Sequence, residues 1–434
     1  MPIRNPDLEC LDLEERAQQQ LERLQSTLNR AFKNVPFYRN QLMEHRIAPQ
    51  QIENLADLAD VPFTDRDHFS EHYPYGLFAV PLRDVVRIHT ARGTSLNPVV
   101  SGYTKQDLVI RRELVARALA AAGVSGLDIL QIHLDVGLTN WGREYKDGAE
   151  AIEAGVIPLT ILPPEKQLMI LKDYRTSVLV TTPSAAAELM DLLFQVNLNP
   201  NQLALKTLIL VGEVPAPETA AQLEERLHVR TWVHYGLSEV PGPALAFECE
   251  ERTGLHLSED HFLAEVVDAG EGRSVGEGEA GELVLTTLTT RAFPLIRYRT
   301  GDRVRFLEGP CPCGRTLKRM EWLGERTDDT VVIRGVKVHH RQVRTFLRRI
   351  LGREPHMVSF QVCETRRRDH LVVSLGVDES LFSDEIKEME QMSLRLGAEL
   401  ALELGVPVRI HFREPGSFKY EPAPDRIEDR RRAP

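Results

Sequence analysis

Two cysteines separated by a single residue are the side chains in this sequence that are most clearly suited to binding a metal. The segment Cys-Pro-Cys-Gly puts the thiols of Cys311 and Cys313 in a tight turn, where both can bind one metal ion. Cys249 and His256 lie earlier, in a polar stretch, and complete a Cys3His set that suits tetrahedral zinc in a structural role. A second interpretation is equally open on spacing alone: two surface thiols that are unrelated to the other cysteine and the histidine.

A second group of residues has the composition of a loop that binds phosphate. Gly93, Thr94 and Ser95 lie in a predicted turn between two strands. Backbone N–H groups and hydroxyls in such a turn can donate hydrogen bonds to a phosphate. Alone, this short segment is a weak indication of a nucleotide site.

The composition limits the classes of protein in which these residues can act. The 434 residues include 53 Lys and Arg against 64 Asp and Glu, a formal charge of −11 that argues against nucleic acid or an anionic membrane as partner. No apolar stretch approaches the roughly 20 residues that span a bilayer, and charges near the start argue against a signal peptide. Five cysteines are too few for a disulfide framework. We therefore expect a cytoplasmic protein, in which a local positive site can still hold a small, anionic substrate.

A length of 434 residues exceeds one compact core, so we expect two or three domains. Helical segments alternate with short apolar runs between about residues 107 and 240, which predicts parallel strands covered by helices. After Glu259, Gly-rich turns separate strand-like segments, which predicts an antiparallel section. We predict an α/β fold with a large domain over residues 1–327 and a small α+β domain over residues 328–434.

Four long motifs follow one another in the second half of the chain and are far more specific than the loop. They are Tyr235-Gly236-Leu237-Ser238-Glu239, Arg297-Tyr298-Arg299-Thr300-Gly301-Asp302, Arg326-Thr327-Asp328-Asp329 and Ile333-Arg334-Gly335-Val336-Lys337-Val338. In these motifs, and in segments such as TTLTTRAFPLIRYRTGD and CPCGRT, the chain resembles the phenylacetate–CoA ligase family of adenylate-forming (AMP-binding) enzymes. The resemblance covers nearly the whole sequence. It implies the adenylate-forming ligase architecture, with a large AMP-binding domain and a small mobile C-terminal domain.

The resemblance also implies a two-step reaction. ATP and a small-molecule carboxylic acid give an acyl-adenylate, and coenzyme A then displaces AMP to form a thioester. Ser238 is then expected to donate to the α-phosphate, and Glu239 to hold Mg²⁺. Asp302 is expected to accept both ribose hydroxyls, because an ionised carboxylate only accepts hydrogen bonds, and Arg326 to reach the sugar or the phosphate. Asp328, at the domain boundary, is the implied hinge.

The same resemblance assigns roles to two glycines, one tyrosine and the metal-like cluster. Tyr235 and Gly236 belong to the implied nucleotide-binding motif. Gly335 matches a glycine loop that closes over the CoA tunnel in the thioester-forming geometry. Members of the family contain a similar Cys/His cluster, which favours a structural Zn²⁺ on the Cys3His set. The family resemblance further suggests a homodimer.

Two departures from the family pattern bear on activity. Leu96 stands in the phosphate loop where the family has glycine, and Asn97 stands where the family has lysine. A bulky side chain hinders close approach of the backbone to a phosphate, and asparagine does not supply the missing charge. Near the C-terminus, Ala423 falls at the position of a lysine that contacts the carboxylate and α-phosphate during adenylation.

Three interpretations follow from these departures. The first is an AMP-forming aryl or acyl-CoA ligase whose adenylation step is impaired. The second is a non-adenylating member that transfers acyl groups between CoA and an acyl carrier protein, or transfers a nucleotidyl group. The third is a catalytically inactive protein that binds a nucleotide or an acyl group. The intact segment from Tyr235 to Glu239, with Asp302 and Arg326, favours retained nucleotide binding and the first interpretation.

Overall fold

Helices and strands account for most of the chain. The computed structural model describes residues 3–91, 97–158, 162–240, 242–355, 357–365, 368–376, 386–420 and 426–431. Its α-helices are α1 (Pro6–Glu9), α2 (Leu13–Asn34), α3 (Pro36–Glu44), α4 (Arg66–Glu71), α5 (Lys105–Ala121), α6 (Thr139–Ala151), α7 (Pro164–Asp173), α8 (Pro183–Gln195), α9 (Pro217–Leu227), α10 (His340–Leu351) and α11 (Ile386–Leu404). Its strands are β1 (Arg87–Ala91), β2 (Val99–Tyr103), β3 (Ile129–His133), β4 (Gly155–Ile157), β5 (Val178–Thr181), β6 (Thr207–Val211), β7 (Arg230–Leu237), β8 (Gly242–Glu248), β9 (Leu255–Leu257), β10 (Phe262–Val267), β11 (Ala280–Thr287), β12 (Tyr298–Leu307), β13 (Arg319–Arg326), β14 (Thr330–Ile333), β15 (Val336–His339), β16 (Val358–Thr365), β17 (Arg368–Gly376), β18 (Val408–Arg413) and β19 (Ile427–Asp429). Within the described ranges, the structure contains no helix with the length and apolar character needed to cross a membrane.

One 11-stranded mixed sheet organises the part of the chain before Asp328, with the order β10-β11-β12-β13-β9-β8-β7-β6-β5-β3-β4. Strands β3 to β7 pair in parallel, as their alternation with helices predicts. Pairs beyond β7 are antiparallel, because β8 returns through a short connection and pairs His234 with Phe247. The predicted parallel section and the predicted antiparallel section are therefore two halves of the same sheet.

The helix boundaries near the start of the chain follow a proline. Helix α2 ends at Asn34 and α3 begins at Pro36, whose fixed φ suits the first position of a helix. The apolar stripe of α2 is fully buried at Leu24, Leu28 and Ala31, as its helical spacing predicts.

The residues after Asp328 form a hairpin, β14–β15, and a four-stranded sheet of order β18-β17-β16-β19. Their apolar side chains, between Ile333 and Ile427, pack into a hydrophobic core of their own. This separate core supports the division between residues 327 and 328, which stays a prediction.

The carboxyl ends of the parallel strands meet at one edge of the large sheet, where open α/β sheets bind their ligands. The loop after β3 contains Gly137, the loop after β6 begins at Gly212, and the loop after β7 contains Ser238. The turn of the β14–β15 hairpin lies against the same edge, because a Cβ built on Gly212 would be 2.9 Å from the Cα of Gly335.

Candidate functional site

A pocket lies between this edge of the sheet and the β14–β15 hairpin. The empty space in and around it, open solvent included, is about 600 Å³. Most of the predicted nucleotide site lies on its wall or directly behind it. The residues that line the pocket are Ala91, Gly137, Leu138, Trp141, Gly212, Gly236, Leu237, Ser238, Glu239, Asp302, Trp322, Val332, Gly335, Val336 and Lys337.

The end of β7 places four of the predicted residues at this pocket. Tyr235 is fully buried, and its ring packs edge-on against Trp322 with 4.9 Å between ring centroids. A Cβ at Gly236 would lie 2.4 Å from the carbonyl oxygen of Gly242, so only glycine fits there. Half-buried Ser238 and buried Glu239 follow and both line the pocket.

The buried carboxylate of Asp302 accepts hydrogen bonds from three side chains. The Tyr235 hydroxyl donates over 2.8 Å and the Lys337 ammonium over 3.0 Å, while Nη1 of Arg326 donates to the other carboxylate oxygen. Burial raises the pKa of Asp302, but the charges of Lys337 and Arg326 outweigh burial and lower it. Asp302 is therefore ionised at neutral pH and is a strong acceptor.

Asp328 lies between two arginines. Arg326 donates to it from Nε and Nη2, each over 2.7 Å, and Arg66 of α4 donates from Nη1 over 3.3 Å. Nη2 of Arg66 is also 3.7 Å from Oε1 of Glu239. Burial raises the pKa of Asp328, but the hydrogen bonds and charge of Arg326, with the charge of Arg66, hold it well below its usual range. The ion pairs thus form one continuous network, in which cations and carboxylates alternate in the order Glu239, Arg66, Asp328, Arg326, Asp302 and Lys337.

Sequence reasoning missed two members of this network, Arg66 and Lys337. Strand alternation contained a signal for Lys337, since the next residue, Val338, is fully buried in the hydrophobic core of the residues after Asp328 and Lys337 lies on the other face of β15. No pattern in the sequence indicated Arg66, which begins α4 directly after its N-cap residue Asp65.

The hairpin turn makes close contact with the edge of the large sheet. Gly335 has φ +79°, and a Cβ there would lie 2.7 Å from Cδ1 of Leu138. The preceding Arg334 donates from Nε to Asp135 over 2.7 Å and from Nη1 to Glu188 over 3.0 Å. Close backbone packing and two ion pairs therefore hold the turn in place.

The predicted phosphate loop and the C-terminal departure fall mostly outside the described residues. Gly93, Thr94, Ser95 and Leu96 belong to this group, as does Ala423. Asn97 is described, and its side-chain amide donates to the carbonyl oxygen and to the hydroxyl of Ser70, each over 3.3 Å. The side chain at the position of the family's lysine is thus engaged with the end of α4.

The four predicted metal ligands come together at a separate place. The sulfurs of Cys249 and Cys311 are 3.6 Å apart, and the Cys313 sulfur is 3.5 Å from Nε2 of His256. All four ligand atoms lie within 4.8 Å of one another. Zinc–sulfur bonds of about 2.3 Å place two sulfurs of a tetrahedron about 3.7 Å apart, so the set fits tetrahedral zinc.

The histidine of this cluster has the protonation state that a metal ligand needs. Burial, followed by the charge of Arg315, lowers the pKa of His256 to about 4, so its imidazole is neutral at pH 7. Its other nitrogen, Nδ1, is 3.3 Å from the carbonyl oxygen of Leu317, a contact that orients the ring.

Comparison with known sequences gives one consistent family. The model of the AMP-binding enzyme family matches residues 152–289. The phenylacetate–coenzyme A ligase of Thermus thermophilus is 38% identical over 426 residues, which is 95% of this chain and 95% of that protein. The phenylacetate–coenzyme A ligase of Aromatoleum evansii is 34% identical over 426 residues, 96% of this chain and 95% of that protein.

Comparison with solved structures identifies the fold as that of an adenylate-forming CoA ligase. 2-Hydroxyisobutyryl-CoA ligase, in complex with 2-HIB-AMP and CoA in the thioesterification state, superposes with a TM-score of 0.90 at 24% identity, covering 100% of this chain and 94% of that one. The same protein in the postadenylation state gives 0.71, again at 24% identity, covering 99% and 94%. The predicted α/β architecture is therefore confirmed.

Proposed function

The chain belongs to the phenylacetate–CoA ligase family of AMP-binding enzymes, and from that premise we propose how its residues activate a carboxylic acid. It is an AMP-forming carboxylate–CoA ligase. The acid's carboxylate attacks the α-phosphate of ATP and releases pyrophosphate, and the thiol of coenzyme A then displaces AMP. The proposal for this chain's residues depends on one observation, the pocket in which Ser238, Glu239 and Asp302 meet Gly335 and Lys337.

We assign the phosphate end of the pocket to Ser238 and Glu239. The Ser238 hydroxyl is the proposed donor to the α-phosphate. Glu239 offers a buried carboxylate oxygen, the ligand type that Mg²⁺ prefers. Its ion pair with Arg66 is long, at 3.7 Å, so a metal ion can replace the arginine as its partner. Bound there, Mg²⁺ supplies positive charge to the phosphates.

The ribose end of the pocket is assigned to Asp302. Its ionised carboxylate is the proposed acceptor for the ribose hydroxyls, and the hydrogen bonds from Tyr235 and Arg326 orient this carboxylate.

We propose Asp328 as the hinge residue, because it joins Arg326 before the domain boundary to Thr330 after it.

The position of the hairpin supports the thioester-forming arrangement. The chain superposes better on the 2-hydroxyisobutyryl-CoA ligase structure in the thioesterification state than on the postadenylation one, with TM-scores of 0.90 and 0.71. Gly335 packs against Leu138 at the pocket, where a Cβ would lie 2.7 Å from Cδ1 of Leu138. We propose that coenzyme A enters past Gly335.

The acid is proposed to be an aryl or acyl carboxylic acid. The pocket wall includes the apolar side chains of Leu138, Trp141, Trp322 and Val336, which suit a hydrophobic acid. The names of the relatives make phenylacetate the first acid to test, and 2-hydroxyisobutyrate the second.

Exchange of labelled pyrophosphate into ATP tests adenylation directly. We expect exchange that depends on at least one acid from a panel of phenylacetate, benzoate, 2-hydroxyisobutyrate and straight-chain acids. Absence of exchange with every acid, in protein that binds ATP by calorimetry, would reject carboxylate adenylation. That result would favour the second candidate, acyl transfer between CoA and an acyl carrier protein or nucleotidyl transfer, which the departures at Leu96, Asn97 and Ala423 leave open.

Restoring both missing lysines is expected to raise the exchange rate about tenfold. The variant Asn97→Lys/Ala423→Lys returns two positive charges to the phosphate, and one such contact is typically worth roughly 10²-fold or more in rate. Leu96 and the lost amide contacts with Ser70 reduce the gain. The two single variants are the matched controls. An unchanged or slower rate in the double variant would indicate chemistry other than simple adenylation.

We propose a structural Zn²⁺ on Cys249, His256, Cys311 and Cys313. Four protein ligands leave no open coordination position, and none of the four lines the pocket, so no reaction step uses the metal.

We also retain three further predictions from the sequence as proposals: an acyl carrier protein as acceptor, a homodimer and a cytoplasmic location.

A further inference from the structure

Lys337 brings an ammonium group from the β14–β15 hairpin into the nucleotide pocket. Its Nζ is 3.0 Å from Oδ2 of Asp302 and 3.5 Å from the carbonyl oxygen of Thr300. The side chain is 19% exposed and lines the same pocket as Ser238 and Glu239. None of the residue roles proposed above uses this positive charge.

The acceptor capacity of Asp302 is nearly filled by protein donors. A carboxylate offers about four lone-pair sites. Tyr235, Arg326 and Lys337 already occupy three of them. Two ribose hydroxyls need two sites, so at least one protein donor has to leave when a nucleotide binds.

Lys337 is the donor that is free to leave. Tyr235 is fully buried and packs against Trp322. Arg326 is held by two hydrogen bonds to Asp328 and one to the carbonyl oxygen of Thr300. Besides Asp302, Lys337 has a long contact of 3.5 Å with the carbonyl oxygen of Thr300, and its flexible four-carbon chain comes from the hairpin rather than from the large sheet.

A bound nucleotide offers the displaced ammonium a strong anionic partner. The phosphate of AMP is attached to the ribose that takes the place of Lys337 on Asp302. An ion pair between ammonium and phosphate is stronger in this partly enclosed pocket than in water. We infer that Lys337 is a nucleotide-binding residue, which yields Asp302 to the ribose and then pairs with the α-phosphate of the bound nucleotide.

This role rests on the proposed function, since it assumes that the pocket binds AMP. It also adds a source of positive charge to the proposed nucleotide site. The chain has no lysine at positions 97 and 423, and Lys337 supplies one positive charge to the same phosphate from a third position. The charge is available while the hairpin is docked, which is the arrangement proposed for thioester formation.

Binding of AMP and adenosine by isothermal titration calorimetry tests the inference without any acid or turnover. Wild-type protein is expected to prefer AMP. In Lys337→Met the ratio of AMP affinity to adenosine affinity falls about tenfold, the usual worth of a charge-assisted hydrogen bond. Adenosine alone binds the variant at least as tightly as wild type, because Asp302 has lost a competing donor. Lys337→Arg keeps the preference, and Lys172→Met, which removes an exposed lysine of α7, leaves both affinities unchanged.

An unchanged AMP-to-adenosine ratio in Lys337→Met overturns the inference, whether or not pyrophosphate exchange occurs. A lost preference supports it even if no acid gives exchange, in which case only the proposed reaction fails. If the wild type binds neither ligand, both are rejected. If the variant does not fold, the inference can be tested on wild-type protein. Acylation of the Lys337 amine, measured by mass spectrometry, is expected to be faster with adenosine bound than with AMP bound. Equal rates contradict the inference.

Discussion

Replacing Asp302 with asparagine weakens the binding of AMP and ATP by about 100-fold or more. The ionised carboxylate is the proposed acceptor for two ribose hydroxyls, and each hydrogen bond to a charged group contributes about 1.5–3 kcal/mol. Loss of two such bonds therefore costs at least about 3 kcal/mol, which corresponds to a factor of roughly 100 in affinity. Calorimetry with AMP measures the effect. Asp173→Asn, which neutralises an exposed carboxylate at the end of α7, is the matched control.

The same substitution also lowers the free energy of unfolding. It removes the buried carboxylate that Lys337 and Arg326 share, and breaking a buried ion pair from one side costs about 3–5 kcal/mol. The double variant Asp302→Asn/Lys337→Met is expected to recover part of this stability but not AMP binding. Since the folded pKa of Asp302 is lowered, the stabilisation is present above the unfolded pKa and is lost as the pH falls through the folded one. Wild-type affinity for AMP in Asp302→Asn would contradict the ribose assignment.

Local patterns in the sequence predict most of the elements, whereas the residues of the nucleotide site come from the resemblance of four motifs to the family and stay a prediction. Helical and strand periodicities depend on residues that are close in the chain, so the break at Pro36 and the β14–β15 hairpin are predictable. The contact of Lys337 with Asp302 joins residues 35 positions apart and depends on where the hairpin docks. Periodicity predicts which way Lys337 points, but it contains no information about the surface that the side chain meets.

The four residues of the Cys3His cluster are brought together by strand pairing, which their spacing in the sequence does not predict. Cys249 and Cys311 are 62 residues apart, a separation from which no shared site follows. In the sheet, however, His256 of β9 pairs with Phe247 of β8 on one side and with Arg319 of β13 on the other. The cysteines follow β8 and precede β13 closely, so both sides of the cluster converge on His256.

Replacing Cys311 with serine is expected to remove bound zinc and to lower the free energy of unfolding by about 4 kcal/mol. A ligand present at about a thousand times its Kd stabilises the folded state by that amount. We also expect the proposed metal to hold the N-terminal helix α1 in position. Arg315 donates to Glu9 over 2.6 Å from Nε and contacts the Cys313 sulfur over 3.6 Å from Nη1, so loss of the cluster loosens the contact with α1.

Metal analysis and thermal unfolding measure this effect in protein purified without a polyhistidine tag. Wild type is expected to contain about one zinc per chain, and a chelator should reproduce the loss of stability in a manner that added zinc reverses. Cys363→Ser is the matched control, because Cys363 is half-buried in β16, away from the cluster. Nucleotide binding at low temperature should persist in Cys311→Ser, since none of the metal ligands lines the pocket. If wild-type protein contains no zinc and its stability does not respond to the chelator, the four side chains pack together without binding a metal and the proposal is rejected.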